Sequence, residues 1–220
     1  MSGLPVYDVV LLPPNDVDIR AIQLSEQCAK LAPTEFVLRD GGLYPHLSLY
    51  MANFTQDQRT AALTHLRSIS EQTPEIPLEG DHFSGNDQGM FELFYRKTEA
   101  VTRLQETVIA ALNPLRTGLR HRDPVGRHLA GHRLTAPPVA RGNLDRYGYD
   151  EVGDLFRPHI TVARFRNRGH RYDPAHRFDP ANLPQADSFT ATYRILALCL
   201  MGEHGTCTDV IATFDLLPKP

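Results

Sequence analysis

Two short segments of the chain share one pattern, and that pattern constrains the fold more than any other feature of the sequence. The segments are YPHLSLY and RPHITVA, and both read Pro-His-aliphatic-hydroxyl-aliphatic. Because side chains alternate between the two faces of a strand, His46 and Ser48 share one face of the first segment. By the same rule, His159 and Thr161 share one face of the second. Each segment therefore predicts a strand that packs aliphatic residues against a core and presents an imidazole beside a hydroxyl on its other face.

The chemistry of histidine gives this repetition a functional interpretation. One copy of the pattern is also typical of a half-buried strand whose histidine is satisfied by ordinary hydrogen bonds. Two copies, each with proline before histidine, indicate a shared site. With a reference pKa of about 6.5, one imidazole can accept a proton while the other donates one, as phosphodiester cleavage requires. The neighbouring hydroxyls can donate hydrogen bonds to the non-bridging oxygens, and this scheme needs no metal.

The order of apolar and polar runs predicts the fold class. Strands and helices are mixed without strict alternation and hairpins recur, which favours an α+β fold with antiparallel sheets over a doubly wound one. The pattern of residues 117–154 assigns them no regular structure, and a stretch around DPAHRFDPANLP is predicted to be irregular. Strands are predicted at residues 6–12, 36–38, 43–51, 76–83, 90–95, 156–165, 193–201 and 206–216, and helices at 16–31 (capped by Asp16, with Ile19, Ile22, Leu24 and Leu31 apolar), 55–70 and 98–115.

Charge is distributed unevenly along the chain. The 220 residues are 41% hydrophobic and carry a formal charge of only −3, which excludes a disordered chain and offers no whole-protein case for nucleic-acid binding. Residues 116–177, however, hold 13 arginines, no lysine and 6 acids. The planar guanidinium suits phosphate, so this segment either meets a polyanion or forms a solvated face with counter-ions.

The cysteines and the hydropathy of the sequence indicate the cellular compartment of the protein. Cys28, Cys199 and Cys207 follow no metal-binding spacing, so a structural zinc site is not expected, and the pair at 199 and 207 is expected to be reduced. The first residues lack a basic export signal, and no run approaches the ~18 apolar residues of a membrane span. The sequence thus predicts a cytoplasmic protein that does not cross a membrane.

The two motifs resemble those of the two-histidine (2H) phosphoesterases, which include 2′-5′ RNA ligase-like proteins and cyclic phosphodiesterases. That family carries a pair of His-x-Thr/Ser-x tetrapeptides, matched here by HLSL at residues 46–49 and HITV at residues 159–162. FRPHITVAR is especially similar to the second family motif, and serine replaces the commoner threonine in the first. The opening strand with its Pro-Pro end and the closing hairpin are also similar. The resemblance covers most of the chain except residues 117–150, which look like a basic insertion.

The resemblance implies an architecture and a set of roles. It implies that residues 1–220 form a single bilobal α+β domain, with two antiparallel sheets related by pseudo-twofold symmetry around a central groove and helices on the outside. It implies that His46 and His159 are the catalytic acid and base. It also implies that Ser48 and Thr161 bind phosphate. Family substrates include 2′,3′-cyclic phosphates and 2′-5′-linked RNA, and we expect a monomer with no cofactor and no metal.

Three further residues are candidates for substrate binding. Arg157 lies two residues before His159 and can share its face. Arg164 has the other parity unless a bulge intervenes, and is either a phosphate ligand or part of a surface salt bridge. Tyr50 lies two residues beyond Ser48, where it could stack on a base or form an aromatic rim.

The histidines of the basic insertion invite a metal interpretation that the sequence does not favour. His121, His128 and His132 lie in RHRDPVGRHLAGHR, where glycine and proline disfavour the helix that would align two ligands. A basic loop that covers the groove and a plain solvated insertion both remain open. His204, in the closing turn, is not assigned to the site.

The sequence therefore predicts a metal-independent phosphodiesterase that hydrolyses nucleotide or RNA-end 2′,3′-cyclic phosphates, or 2′-5′ bonds. His159 is taken as the base and His46 as the acid, although the sequence leaves this order open. Two alternatives stand beside this hypothesis. One is a 2′-5′ RNA ligase or transesterase, and the other is a non-catalytic nucleotide- or RNA-binding module that uses the same groove.

Overall fold

The computed structural model describes residues 4–166 and 183–218, which contain nine strands and five α-helices. Residues 173–182 of the stretch predicted to be irregular lie outside this part. The strands are β1 (Val6–Leu12), β2 (Leu47–Asn53), β3 (Ile76–Leu78), β4 (Gly80–Gly85), β5 (Met90–Tyr95), β6 (His159–Arg164), β7 (Ala191–Tyr193), β8 (Ile195–Met201) and β9 (Cys207–Asp215), and the helices are α1 (Asn15–Leu31), α2 (Gln56–Ser70), α3 (Glu99–Leu112), α4 (Leu129–Thr135) and α5 (Pro138–Tyr147).

An antiparallel sheet of two halves organises the fold. Seven strands lie in the order β4-β5-β6-β2-β1-β8-β9, and β3 pairs with β7 in a separate small sheet. The halves meet at β2 and β6, where the one register pair among the described residues is Leu47 with Ile160. These are the second residues of the two motifs, so the antiparallel pairing relates the motifs by a local twofold axis. The predicted α+β fold with antiparallel halves is confirmed, and the halves join into one continuous sheet at this pair.

The aliphatic residues of both motifs lie in the core. Leu47, Leu49, Ile160 and Val162 are completely buried, as alternation along the strands predicts. The helices cover this side of the sheet, with α1 packed on β6, α3 on β2, and α2 on β8 and β9. The motif strands are therefore held from behind by the main core, which leaves their other face for a site.

The first helix differs from its prediction in its cap, and only some of its apolar residues are buried. Pro14 precedes the helix, and its carbonyl accepts hydrogen bonds from the backbone of the first turn, so Asp16 lies inside the helix and pairs with Arg20 instead of capping it. Ile19 and Leu31 are about half exposed. The buried face consists of Val17, Ala21, Leu24, Ser25 and Cys28.

Several strand predictions are wrong in their limits. Residues 36–38 are not a strand, although Leu38 is buried and its amide donates to the Ser25 hydroxyl. The first motif strand begins only at Leu47, so His46 lies just before β2. The run at 76–83 is divided at Glu79 into β3 and β4, because the two pieces pair with different partners.

Residues 117–154, to which the sequence pattern assigns no regular structure, contain α4 and α5. Pro138 begins α5, where its missing amide hydrogen costs no helical bond, and Gly148 ends it with a φ of +66°. Apolar residues recur at helical spacing in spite of the many glycines and prolines. They form a small cluster of their own, made of Leu129, Ala136, Ala140 and Leu144.

Two simple features complete the fold. Cys28, Cys199 and Cys207 are buried free thiols, and the last two pack together across the β8–β9 hairpin. None of the helices in residues 4–166 and 183–218 has the length and apolar character that crossing a bilayer requires.

Candidate active site

Both motifs line one cavity at the junction of the two halves of the sheet. His46, Ser48, His159 and Thr161 all border it, and it encloses about 870 Å³ together with its open mouth. The pairing of Leu47 with Ile160 explains why both motifs reach the same cavity. In an antiparallel register, the residues that flank the pair are His46 opposite Thr161 and Ser48 opposite His159. Each imidazole thus lies across from the hydroxyl of the other motif.

The backbone holds both imidazoles in the same way. Nδ1 of His46 lies 2.8 Å from the carbonyl oxygen of Tyr44, and Nδ1 of His159 lies 2.6 Å from that of Arg157. Because a carbonyl oxygen can only accept, each Nδ1 carries hydrogen and donates. Nε2 is therefore the nitrogen of each ring that exchanges protons with a substrate.

The surroundings move the pKa values of the two histidines in opposite directions. Burial lowers the pKa of His46, more than the nearby carbonyls of Tyr44 and Gly205 raise it. Burial also acts against the His159 imidazolium, but the carboxylates of Glu92 and Glu151 outweigh it and raise the pKa of His159. Nε2 of His159 lies 3.5 Å from Glu92 Oε1. The site therefore favours a neutral His46 and a charged His159 near neutral pH.

The motifs do not reveal the carboxyl groups that lie in the cavity wall or directly behind it. Asp8 Oδ2 accepts a 2.6 Å hydrogen bond from the Ser48 hydroxyl and lies 3.8 Å from Nε2 of His46. Burial raises the pKa of Asp8 to about 7 and also raises that of Glu151. Asp8 in VYDVVLL and Glu92 in MFELFY each stand alone in an apolar strand. A single acid in such a strand is a signal that could have identified both.

Tyr50 does not face the cavity, so its predicted role in substrate binding is corrected. Val9 pairs with Tyr50 but Val10 pairs with Ser48, so Leu49 is an extra residue in β2 and forms a bulge. The bulge moves Tyr50 to the core side, where it is completely buried and its hydroxyl donates to the carbonyl of Tyr147. Alternation from Ser48 onward fails because the extra residue shifts the phase of the strand by one.

Arg164 is neither in the cavity lining nor on the surface, so both sequence interpretations are corrected. A second bulge, at Val162, occupies the same motif position as the first. The guanidinium of Arg164 is buried, donates to the carbonyl oxygens of Val125 and Pro124, and lies 2.7 Å from Nδ1 of His204. His204 itself lines the cavity. Arg164 therefore ties together wall segments that are far apart in sequence.

Arg157 borders the mouth of the cavity, as its parity predicts. Its side chain is more than half exposed, lies 3.4 Å from Glu151 and stacks over the ring of Phe94 at 5.4 Å. Phe94 in turn packs against His159. Arg157 is thus placed to meet an anion that enters the cavity.

Comparisons with known proteins can now be set beside this geometry. A family model described as "Protein of unknown function (DUF1045)" matches residues 36–210. The chain belongs to the DUF1045 family. No curated protein matches the sequence of this DUF1045 chain.

Solved structures with very different sequences share the fold of this DUF1045 chain. E. coli LigT in its apo form matches at 13% identity with a TM-score of 0.58, over 98% of this chain and 99% of LigT. TT0787 of Thermus thermophilus matches at 16% identity with a TM-score of 0.56, over 98% of this chain and 100% of TT0787. LigT has also been solved with phosphate, NADP+, 3′-AMP and ATP. The chain therefore has the fold of the LigT-like 2H phosphoesterases.

The segment predicted to be an insertion contributes one wall of the cavity. Pro124, Val125 and Arg127 line it. The rings of His121 and His128 pack edge to face at 4.6 Å, and no cluster of three or more metal-ligating side chains occurs within the described ranges.

Proposed function

We propose that this DUF1045 chain is a phosphodiesterase that hydrolyses 2′,3′-cyclic phosphates of nucleotides or RNA ends, or 2′-5′ bonds, with its two motif histidines. The observation that carries the proposal is the placement of two imidazoles in one cavity with opposite pKa shifts. Each imidazole keeps Nδ1 for the backbone and leaves Nε2 for proton transfer. The LigT fold and its complexes with phosphate and 3′-AMP support this substrate class.

We assign the base to His46 and the acid to His159, the reverse of the order taken from the sequence. Neutral His46 Nε2 accepts a proton from water as the water oxygen bonds to phosphorus. Charged His159 Nε2 donates its proton to the ribose oxygen as the bond from that oxygen to phosphorus breaks. The product is a phosphomonoester, and both histidines recover their starting states by exchange with solvent.

The hydroxyls and the rim arginine complete the proposed mechanism. Thr161 and Ser48 donate hydrogen bonds to the non-bridging oxygens, where negative charge increases in the transition state. Arg157 at the mouth attracts the anionic substrate. The histidine pair supplies both proton transfers, so the proposal assigns no step to a metal.

Phosphorus NMR on a panel of 2′,3′-cyclic nucleotides and 2′-5′ dinucleotides, in EDTA, tests the proposal. We expect turnover that falls by about 10²-fold or more in both His46→Ala and His159→Ala. His65→Ala, an exposed histidine of α2, is the matched control and keeps full activity. No turnover by the unmodified protein, with nucleotide binding that survives both substitutions, would instead support the binding module. Turnover only after metal is restored would overturn the mechanism.

A further inference from the structure

The carboxyl group of Asp8 lies behind the first motif and is completely buried. It belongs to β1, next to β2 in the sheet. Oδ2 accepts the Ser48 hydrogen bond at 2.6 Å, whereas Oδ1 is buried and receives no hydrogen bond from any described residue. A buried oxygen without a donor costs a charged carboxylate more free energy than it costs a neutral carboxylic acid.

The bond to Asp8 creates a conflict with phosphate binding. Ser48 has one hydroxyl hydrogen, and when Asp8 is ionised this hydrogen is used in the hydrogen bond to the Asp8 carboxylate. The oxygen of Ser48 then offers only lone pairs to the cavity, where a phosphate oxygen also offers only lone pairs. Thr161 faces no such conflict, since among the described residues no carboxylate accepts a bond from its hydroxyl. The two hydroxyls of the site are therefore not equivalent.

We propose that Asp8 is a positioning residue that takes up one proton when a phosphate group binds. The carboxylate gains a proton from solvent, the new O–H donates to Ser48 Oγ, and the Ser48 hydroxyl turns towards the phosphate oxygen. No other bond is made or broken. The inference rests on the proposed function in that a phosphate-like anion must occupy this cavity.

The charges around Asp8 are compatible with such a change. Burial raises the pKa of Asp8 to about 7, against the opposing effect of the Ser48 hydrogen bond and of positive charge nearby. A bound anion adds negative charge and favours the neutral carboxyl further. The titratable or charged groups that face Asp8 are Arg120, His46, His159, Glu151, Tyr149 and, from β8, Cys199.

Calorimetry with sulfate measures the proton uptake directly. Sulfate does not titrate between pH 5 and 9, and titrations in two buffers of different ionisation enthalpy give the number of protons taken up on binding. At pH 8 we expect the unmodified protein to take up nearly one proton more than Asp8→Asn. Above pH 7 its sulfate affinity should fall by about tenfold per pH unit relative to that variant. Asp209→Asn, an exposed acid of β9, is the matched control and should behave as the unmodified protein does.

A second substitution separates the hydrogen bond from simple repulsion between Asp8 and sulfate. If Asp8 acts through Ser48, Asp8→Asn should strengthen sulfate binding at pH 8 less in the Ser48→Ala protein than in the unmodified protein. We expect the two gains in affinity to differ by at least about threefold. An equal gain in both backgrounds would overturn the proposal, and so would unchanged proton uptake in Asp8→Asn.

Infrared difference spectra of the unmodified protein keep the test independent of how the variants fold. A protonated-carboxyl band should appear when sulfate binds at pH 8, and its absence contradicts the proposal. Sulfate that binds at no pH contradicts it too. The turnover assay, run in parallel, addresses the proposed function separately. Proton uptake at Asp8 without turnover would retain the inference and reject the phosphodiesterase.

Discussion

The two motif histidines differ in the carboxylates near them, although each ring is held by a hydrogen bond from Nδ1 to the backbone carbonyl two residues earlier. His46 has Asp8, whose own pKa is raised to about 7 by burial, so little fixed negative charge supports an imidazolium there. His159 has Glu92 and Glu151, which raise its pKa. The spacing of the motifs does not decide which histidine is the base and which the acid. The different pKa values of the two histidines come from residues on other strands and loops, which no motif contains.

This difference predicts the shape of the pH–rate profile. The rate should rise through the lowered pKa of His46 as the base loses its proton, and fall through the raised pKa of His159 as the acid loses its own. Ionisation of Asp8 itself weakens phosphate binding above about pH 7, so the profile is measured in Asp8→Asn, with and without Glu92→Gln. There, kcat/KM should follow a bell broader than two ordinary histidines would give. Glu92→Gln removes a carboxylate 3.5 Å from His159, so its alkaline limb should move to lower pH while its acidic limb stays. An alkaline limb that does not move would assign that limb to another group.

The two bulges decide, at the scale of the strand, which residues border the cavity. Each follows a motif hydroxyl and shifts the phase of its strand by one residue. Tyr50 is thereby placed in the core and Met51 in the cavity lining. Alternation predicts the four motif residues correctly because they precede the bulges. It fails beyond them because a bulge depends on the pairing with a neighbouring strand.

Because Tyr50 lies in the core, substituting it should change the stability of the protein and leave substrate binding unchanged. Tyr50→Phe removes the hydroxyl that bonds to Tyr147 and Asn113 and leaves a carbonyl without its donor. The free energy of unfolding, measured in urea, should decrease by about 1–3 kcal/mol. The KM for base-containing substrates should change by less than about twofold, whereas a residue that stacked on the base would raise it substantially.

At the scale of the whole molecule, segments far apart in sequence build the cavity. The motif strands supply its floor, residues 124–127 one wall, and the closing turn with His204 another. Arg164 connects these parts through its carbonyl and histidine contacts. The arginine-rich composition of residues 116–177 is compatible with contact with a polyanion or with a solvated face, and it cannot distinguish an arginine that holds the walls from one at the mouth.

Two arginines seven residues apart should therefore respond differently to the same substitution. Arg164→Lys loses the planar fork and should lower the free energy of unfolding by more than about 2 kcal/mol. Arg157→Lys, at an exposed ion pair, should change it by less than about 1 kcal/mol. Substrate KM should nevertheless rise in Arg157→Lys, because a lysine cannot bind phosphate through two parallel bonds. Equal stability of the two variants would show that Arg164 does not tie the walls together.

The sequence alone determined the features that depend on neighbours along the chain. Alternation placed the histidine and hydroxyl of each motif on one face and the aliphatic residues in the core, and the order of elements determined the α+β class. Only the tertiary structure decided the bulges, the contacts of the buried carboxyls with the motif side chains, and the place of Arg164 between the wall segments. These features depend on the strand that pairs with each motif and on what surrounds each charge. Strand register and the surroundings of each charge arise from contacts between residues far apart in sequence, and the spacing of the motif residues does not specify them.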